Sequence, residues 1–219
     1  MSAAAAPAAL VMARAPRPGA CKTRLEPLLG PEGCARLQAV LIRHAAAWAH
    51  AVAPQAAFVA FDPDDGLEDV GGLVPAGTDL FPQADGDLGA RLAAATARVF
   101  AHHDGPLLVV GTDAPSLSRR HASAALDDLA AGCQAVFGPA FDGGYYLVGL
   151  DRPRPGIFAL AADDWGGPAV LRASLEAAGA AGLEIGLIDL ERDLDTPEDA
   201  RAWRADPACP AAIAACLTP

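Results

Sequence analysis

Two aspartates about eighty residues apart carry the chemistry of this chain. Asp113 lies in LLVVGTDAPSL (107–117) and Asp195 in IGLIDLERDLDTPEDA (185–200). In each segment an apolar extended run gives way to a carboxylate, and a proline then ends it. An open α/β sheet delivers ligands to the crevice beyond its strand ends in this way. A divalent cation on a nucleotide diphosphate takes one or two such carboxylates and leaves its other positions to phosphate and water. The two segments therefore predict a nucleotide-handling transferase, with Mg²⁺ or Mn²⁺ held by Asp113 and Asp195. Each aspartate alone has a plainer reading: Asp113 as an Asx-turn residue or helix cap, Asp195 as part of a helix start. Asp193 either shares the role of Asp195 or bonds to its own loop.

The second signal is ARAPRPGACKTRL (13–25), which carries Arg14, Arg17, Lys22 and Arg24 within eleven residues. In an open α/β sheet the first strand-to-helix loop commonly holds a phosphate, because backbone amides and a helix start favour anions. Lys22 and Arg24 would add a mobile ammonium and a forked guanidinium for a diphosphate. The spacing is not that of a P-loop. The alternative is a solvated basic turn, an unusual feature in a chain of net charge −11.

Other segments offer an acceptor or a base a place to bind. DGGYY (142–146) puts Asp142 before Gly143 and Gly144, where backbone can approach a ligand and Asp142 can hold a hydroxyl or act as general base. A tight hairpin turn explains the same residues without a ligand. In QADGDLGARL (83–92), Gln83 and Asp87 could meet a base or ribose, or Asp87 could simply cap a helix. Asp163, Asp164 and Trp165 precede a Gly-Gly-Pro helix entry and would shape an acceptor pocket, or cap. His44 and His50 fall on different helix faces, and no Ser or Cys sits in a nucleophile-elbow setting.

These residues need a scaffold, and the pattern supplies one. AALVMARA (8–15), AAFVAF (56–61) and LLVVG (107–111) read as buried strands, with a weak extra strand near residues 72–76. Helices are expected from Pro31 to about residue 52, from Asp87 through Val99, from Arg119 to Ala131 and from Pro168 to about Ala178. LEIGLIDL reads as a late strand and TPEDARAW as a short helix. Alternation with short joints predicts a mostly parallel, doubly wound sheet with helices on both faces, a three-layer Rossmann-like α/β fold. One domain over residues 1–219 is expected, with 1–7 and 205–219 peripheral.

Composition narrows the class. The chain has 219 residues, 53% hydrophobic and 20% charged, which describes a globular chain able to bury a large core. Its acidity argues against nucleic-acid or polybasic membrane partners. Five scattered cysteines with no CxxC pair fit a reducing, cytoplasmic setting, with Cys21 the candidate reactive thiol. No run is long and apolar enough to span a membrane. The first residues lack the basic start of a signal peptide.

In order, ARAPRPGACKTRL, QADGDLGARL, GTDAPSL, GPAFDGGYYLVGL, DWGGPAVL and DLDTPEDA resemble the DUF2064 family, over residues 8–203. That family belongs to the glycosyltransferase-A-like nucleotide-diphospho-sugar transferases, whose relatives include nucleotidyltransferases. The resemblance implies a GT-A type sheet with a nucleotide across its strand ends. It places Arg14, Gly19, Lys22 and Arg24 on the phosphate loop, Asp113 on the metal aspartate and Asp195 on a second metal aspartate. Arg14 stands where the family usually has Lys, and Ala114 where it often has Cys. GTDAP also lacks the Asp-X-Asp pair of many glycosyltransferases. The expected activity is sugar transfer from a nucleotide-diphosphate sugar to a small-molecule acceptor. The alternatives are nucleotidyl transfer to a phosphorylated small molecule, with pyrophosphate release, and nucleotide binding without catalysis.

Overall fold

The computed structural model describes residues 5–218, and the side chain of Ala162 is also outside what it describes. The expected peripheral arm at residues 1–7 therefore lies mostly outside the described residues. Seven strands form one sheet in the order β3-β2-β1-β4-β6-β5-β7. They are β1 (Ala8–Arg14), β2 (Ala57–Asp62), β3 (Asp79–Pro82), β4 (Leu107–Val110), β5 (Ala135–Pro139), β6 (Tyr145–Leu150) and β7 (Ile185–Leu187). Strand β6 runs antiparallel to both β4 and β5, and the other pairs are parallel. The sheet is thus mostly parallel, as expected, with its one reversal beside β4.

Central strands of a sheet covered on both faces should be apolar throughout, as β4 is and β1 is up to Ala13, with Arg14 exposed at its end. Alternate residues of β1 divide between two cores: Ala9, Val11 and Ala13 face one, Ala8 and Leu10 the other. Helices α1 (Glu26–Val52) and α4 (Arg119–Ala130) cover the first core through Ile42, Trp48, Ala122 and Ala125. Helices α3 (Leu88–Phe100) and α5 (Val170–Ala180) cover the second through Leu92, Val99 and Ala178. The result is the three-layer arrangement that the sequence pattern predicts.

Three local expectations change. The extra strand is not at residues 72–76: a short helix, α2 (Leu67–Gly71), and a turn fill that region, and β3 follows at Asp79–Pro82. The Gly-Gly pair and Pro75 break an extended run there, whereas Phe81, buried against the second core, anchors the later segment. The late strand shrinks to the three residues of β7, so Asp195 lies on a loop well beyond it. The C-terminal stretch, read as peripheral, is packed. Helices α6 (Pro197–Ala205) and α7 (Ala211–Cys216) bury Trp203, Ile213 and Leu217 with Leu37 and Leu41 of α1.

Candidate functional site

The site lies where three loops meet beyond the ends of β1 and β4. The loop after β1 ends at Lys22, which adopts a left-handed backbone conformation (φ 52°, ψ 34°). That region is unusual for a residue with a side chain. It turns the chain so that the Lys22 side chain, 3% exposed, points inward. Its ammonium lies 2.8 Å from Asp113 Oδ1 and 3.7 Å from Asp195 Oδ1, and donates to the carbonyl of Leu194. The ammonium is therefore not the mobile group expected of it: it is buried and shared by both carboxylates.

The carboxylates are fixed from the backbone as well. The amide of Leu194 donates to the carbonyl of Asp113 at 2.8 Å, which joins the two aspartate loops. Leu194 itself is fully buried with Leu25, Leu37 and Trp203, so the C-terminal helices support the loop that carries Asp195. Thr112 Oγ1 donates to Asp113 Oδ1 at 2.8 Å, and Gln38 Nε2 reaches both Thr112 and the carbonyl of Arg14. Gln38, buried on α1, was not singled out from sequence, because a lone glutamine on a helix carries no signal. Thr196 and Asp199 form a reciprocal cap at the start of α6, which sets the direction of the chain after Asp195.

Around this centre, Arg24 pairs with Asp195 Oδ2 at 2.8 Å while its side chain stays largely exposed. Arg14 lies on the other side of the loop, paired with Asp62 at 3.2 Å, and Arg91 holds the same carboxylate at 2.9 Å. Arg17 faces away, toward Asp65 and Asp69. Gly19 supplies a positive φ of 75° in the turn. Among the described residues the amides of Gly19, Cys21 and Lys22 find no acceptor, so the loop presents free donors. Unpaired amides close together in a loop favour an anion, although the Ala20 amide between them is bonded to the carbonyl of Arg17. Cys21 is buried, and burial pushes its thiol up, which argues against a reactive thiolate.

Beside Asp113 opens a cavity of about 270 Å³. Its walls are Met12, Leu92, Val109, Val148, Tyr145 and Trp165, and its polar groups include the carboxylates of Asp113, Asp142 and Asp193. Asp142 begins the β5–β6 hairpin and its Oδ1 accepts the amide of Gly144 at 2.7 Å. Gly143 has φ 90°, and a Cβ there would lie 2.2 Å from the carbonyl of Pro168. The hairpin therefore docks closely on the segment before α5, and the amide of Leu171 donates to the carbonyl of Gly143. Tyr145 and Tyr146 pack on opposite faces of the sheet, so the ligand-free hairpin reading is also realised. Burial, and then the charges of Asp142, Asp199 and Asp113, push Asp193 up to about 6. Neither of the aspartates before Trp165, Asp163 and Asp164, lines the cavity.

The remaining candidates have structural duties. Gln83 Nε2 donates to the carbonyls of Ala13 and Ala60 and so ties the ends of β1 and β2. Asp87 caps α3 by accepting the amide of Ala90 at 2.8 Å. His121, also unmarked by sequence, is buried beneath Glu191 and within 2.9 Å of it, and stacks edge-on against Tyr146. It holds the loop after β7 against α4.

Among the described residues, no group of three or more His, Cys, Asp or Glu side chains is arranged to hold a metal ion. A cation here would instead take Asp113 and Asp195 and complete its shell with ligand oxygens and water. The donor chemistry fits: both groups are hard carboxylates, both reach one ammonium, and Asp113 Oδ2 has no protein partner among the described residues.

Comparison with known structures places the fold. A protein from Desulfovibrio desulfuricans, provisionally designated a nucleotide-diphospho-sugar transferase, is 27% identical, with a TM-score of 0.80 over 97% of this chain and 94% of that one. CMP:2-keto-3-deoxy-manno-octonic acid synthetase, solved with CTP, is 17% identical over 91% of this chain and 97% of its own, with a TM-score of 0.54. A Mycobacterium tuberculosis protein solved with manganese is 18% identical over 90% and 96%, with a TM-score of 0.53. At those lower identities the likeness shows the fold alone. No curated protein matches the sequence. Residues 44–167, more than half of the chain, match the model described as an uncharacterized protein conserved in bacteria, DUF2064. That span holds Asp113 and Asp142, while Lys22 and Asp195 lie outside it. The chain belongs to the DUF2064 family and has the fold of the nucleotide-diphospho-sugar transferases.

Proposed function

We propose that this protein is a metal-dependent glycosyltransferase that moves a sugar from a nucleotide-diphosphate sugar to a small-molecule acceptor. The observation that carries this reading is the meeting of Asp113 and Asp195 across the Lys22 ammonium, with Asp113 also lining the cavity. Its support from comparison is the D. desulfuricans protein designated a nucleotide-diphospho-sugar transferase, which matches nearly the whole chain.

In this reading the amides of Gly19, Cys21 and Lys22 receive the diphosphate, with Arg24 and Arg14 at its flanks. Asp113 and Asp195 would hold an Mg²⁺ or Mn²⁺, which would supply positive charge where the leaving diphosphate becomes more negative. Lys22 holds the two carboxylates in register and keeps their mutual repulsion in check. The acceptor hydroxyl oxygen forms a bond to the sugar's anomeric carbon while the bond from that carbon to the diphosphate breaks. The electron pair leaves with the diphosphate, and the hydroxyl proton passes to Asp142, whose Oδ2 is free of hydrogen bonds among the described residues.

Nucleotidyl transfer is the second reading, favoured by fold neighbours that include the CTP-bound synthetase and a cytidylyltransferase. There, a phosphorylated acceptor attacks the α-phosphate of a nucleoside triphosphate and pyrophosphate leaves. The purified protein, given nucleotide sugars or nucleoside triphosphates with Mg²⁺ or Mn²⁺ and a panel of acceptors, separates the two. Release of nucleoside diphosphate from a nucleotide sugar is the expected result. Pyrophosphate release would establish the second reading, and failure to bind any nucleotide would overturn both.

A further inference from the structure

The two readings place different second substrates in the same cavity, and the cavity itself discriminates between them. Its wall is apolar: Val109 of β4, Val148 of β6 and Leu92 of α3 belong to the core on one face of the sheet, and Tyr145 and Trp165 also line it. Every charged group lining it is a carboxylate: Asp113, Asp142 and Asp193. Among the described residues no Lys, Arg or His side chain lines it. The basic residues nearby are already paired: Lys22 with Asp113 and, at a longer distance, Asp195, Arg24 with Asp195, and Arg14 and Arg91 with Asp62. Among the described residues this leaves Asp142 and Asp193 as the cavity's carboxylates without a basic partner.

Sites that recognise a phosphate ester place arginine, lysine or amide donors around it. A cation on Asp113 and Asp195 would serve the diphosphate side, yet Asp142 and Asp193 would still face the second substrate. Like charges across a contact are a strong means of rejecting a partner. The small volume limits the occupant to a compact molecule.

We propose that the second substrate of this site is a compact, largely apolar hydroxyl compound, neutral or cationic, and that phosphorylated and carboxylated compounds are excluded. This rests on the transferase reading and names the substrate class within it. The apolar part occupies the Val109–Val148–Trp165 wall, and the hydroxyl faces Asp142. Leu88, 44% exposed at the mouth of the cavity, bounds the entry.

A matched series tests it: 2-phenylethanol, the amine 2-amino-1-phenylethanol and 2-phenylethyl phosphate, titrated into the full-length protein with Mg²⁺ and followed by ligand-observed NMR. The alcohol and the amine are expected to bind about tenfold or more tightly than the phosphate ester. Leu88→Arg changes an exposed side chain and places a cation at the rim, so it should fold normally and narrow that gap by several-fold. A phosphate ester that binds as well as the alcohol, a gap unmoved by Leu88→Arg, or no binding by any of the three overturns the proposal. Nucleotide binding is measured on the same sample. Nucleotide binding combined with a preference for the phosphate ester defeats this inference and leaves a nucleotidyl transferase. A preserved preference for the alcohol without nucleotide binding defeats the transferase reading instead.

Discussion

The ammonium of Lys22 lies 2.8 Å from Asp113 Oδ1, with the lysine side chain almost wholly buried and the aspartate side chain half exposed. One partner is locked and the other faces the cavity, so the pair is an anchor for Asp113. Replacing Lys22 by Ala leaves the carbonyl of Leu194 and two carboxylates without their common donor. The expected loss of stability is about 1.5–3 kcal/mol, typical of losing hydrogen bonds to a charged group, read by urea denaturation. Diphosphate binding should fall far more than nucleoside binding.

Asp113→Asn and Asp195→Asn keep the shape of the site and remove one charge each. Metal-dependent nucleotide binding, followed by calorimetry, should be lost in both, while binding measured in chelator should change little. Unaltered affinity in both variants would discard the metal assignment.

Asp193, pushed up to about 6 mainly by burial, makes a distinct prediction for stability against pH. A carboxylate with a raised folded-state pKa holds its proton more tightly folded than unfolded. Its stabilising contribution is present near the ordinary aspartate range and is lost as pH rises through about 6. Asp193→Asn has no such loss. In chelator, the variant should gain on the wild type between about pH 4 and 6 and keep a constant lead above that. Discounted for partial exposure, the lead is about 1 kcal/mol. Parallel denaturation curves for both proteins over that range would contradict the assignment.

Gly143→Ala would place a methyl group 2.2 Å from the carbonyl of Pro168 at a positive φ of 90°. Hairpin and loop must then separate, at a cost of about 1–3 kcal/mol. Thermal unfolding should show the loss. Binding of the second substrate should weaken more than nucleotide binding, because Asp142 moves with the hairpin.

Ile213→Ala tests the C-terminal helix. Ile213 is 1% exposed within the cluster that also buries Leu194 and Leu25. Truncation of a buried isoleucine costs about 2–5 kcal/mol, and denaturant midpoints should shift accordingly. Because Leu194 rests on this cluster, nucleotide affinity should fall as well. A variant of unchanged stability would restore the view of residues 205–219 as peripheral.

The sheet was legible because its information is local. Continuous apolar runs such as LLVVG can only be buried strands when helices alternate with them, so the α/β class and the position of Asp113 beyond β4 follow from the chain alone. Helix starts were legible for the same reason: Asp87 and the TPEDARAW segment form caps that need only the next three residues. Misplacement occurred where local signals compete, as at residues 72–76, where Gly-Gly and Pro75 outweigh short apolar stretches and the sheet edge is instead taken by Asp79–Pro82.

What only tertiary structure decides are the distances between segments far apart in sequence. Nothing local says that Lys22 turns inward rather than toward solvent; that depends on Leu194 and Asp113 being there to receive its ammonium. Nothing local says that Leu194 seats against Trp203 and Leu37, or that Asp142 and Asp193 line one cavity. Residue types determine which chemistry is available, because charge and donor count belong to the side chain. Packing determines which groups meet, because burial of apolar neighbours fixes the loops that carry them.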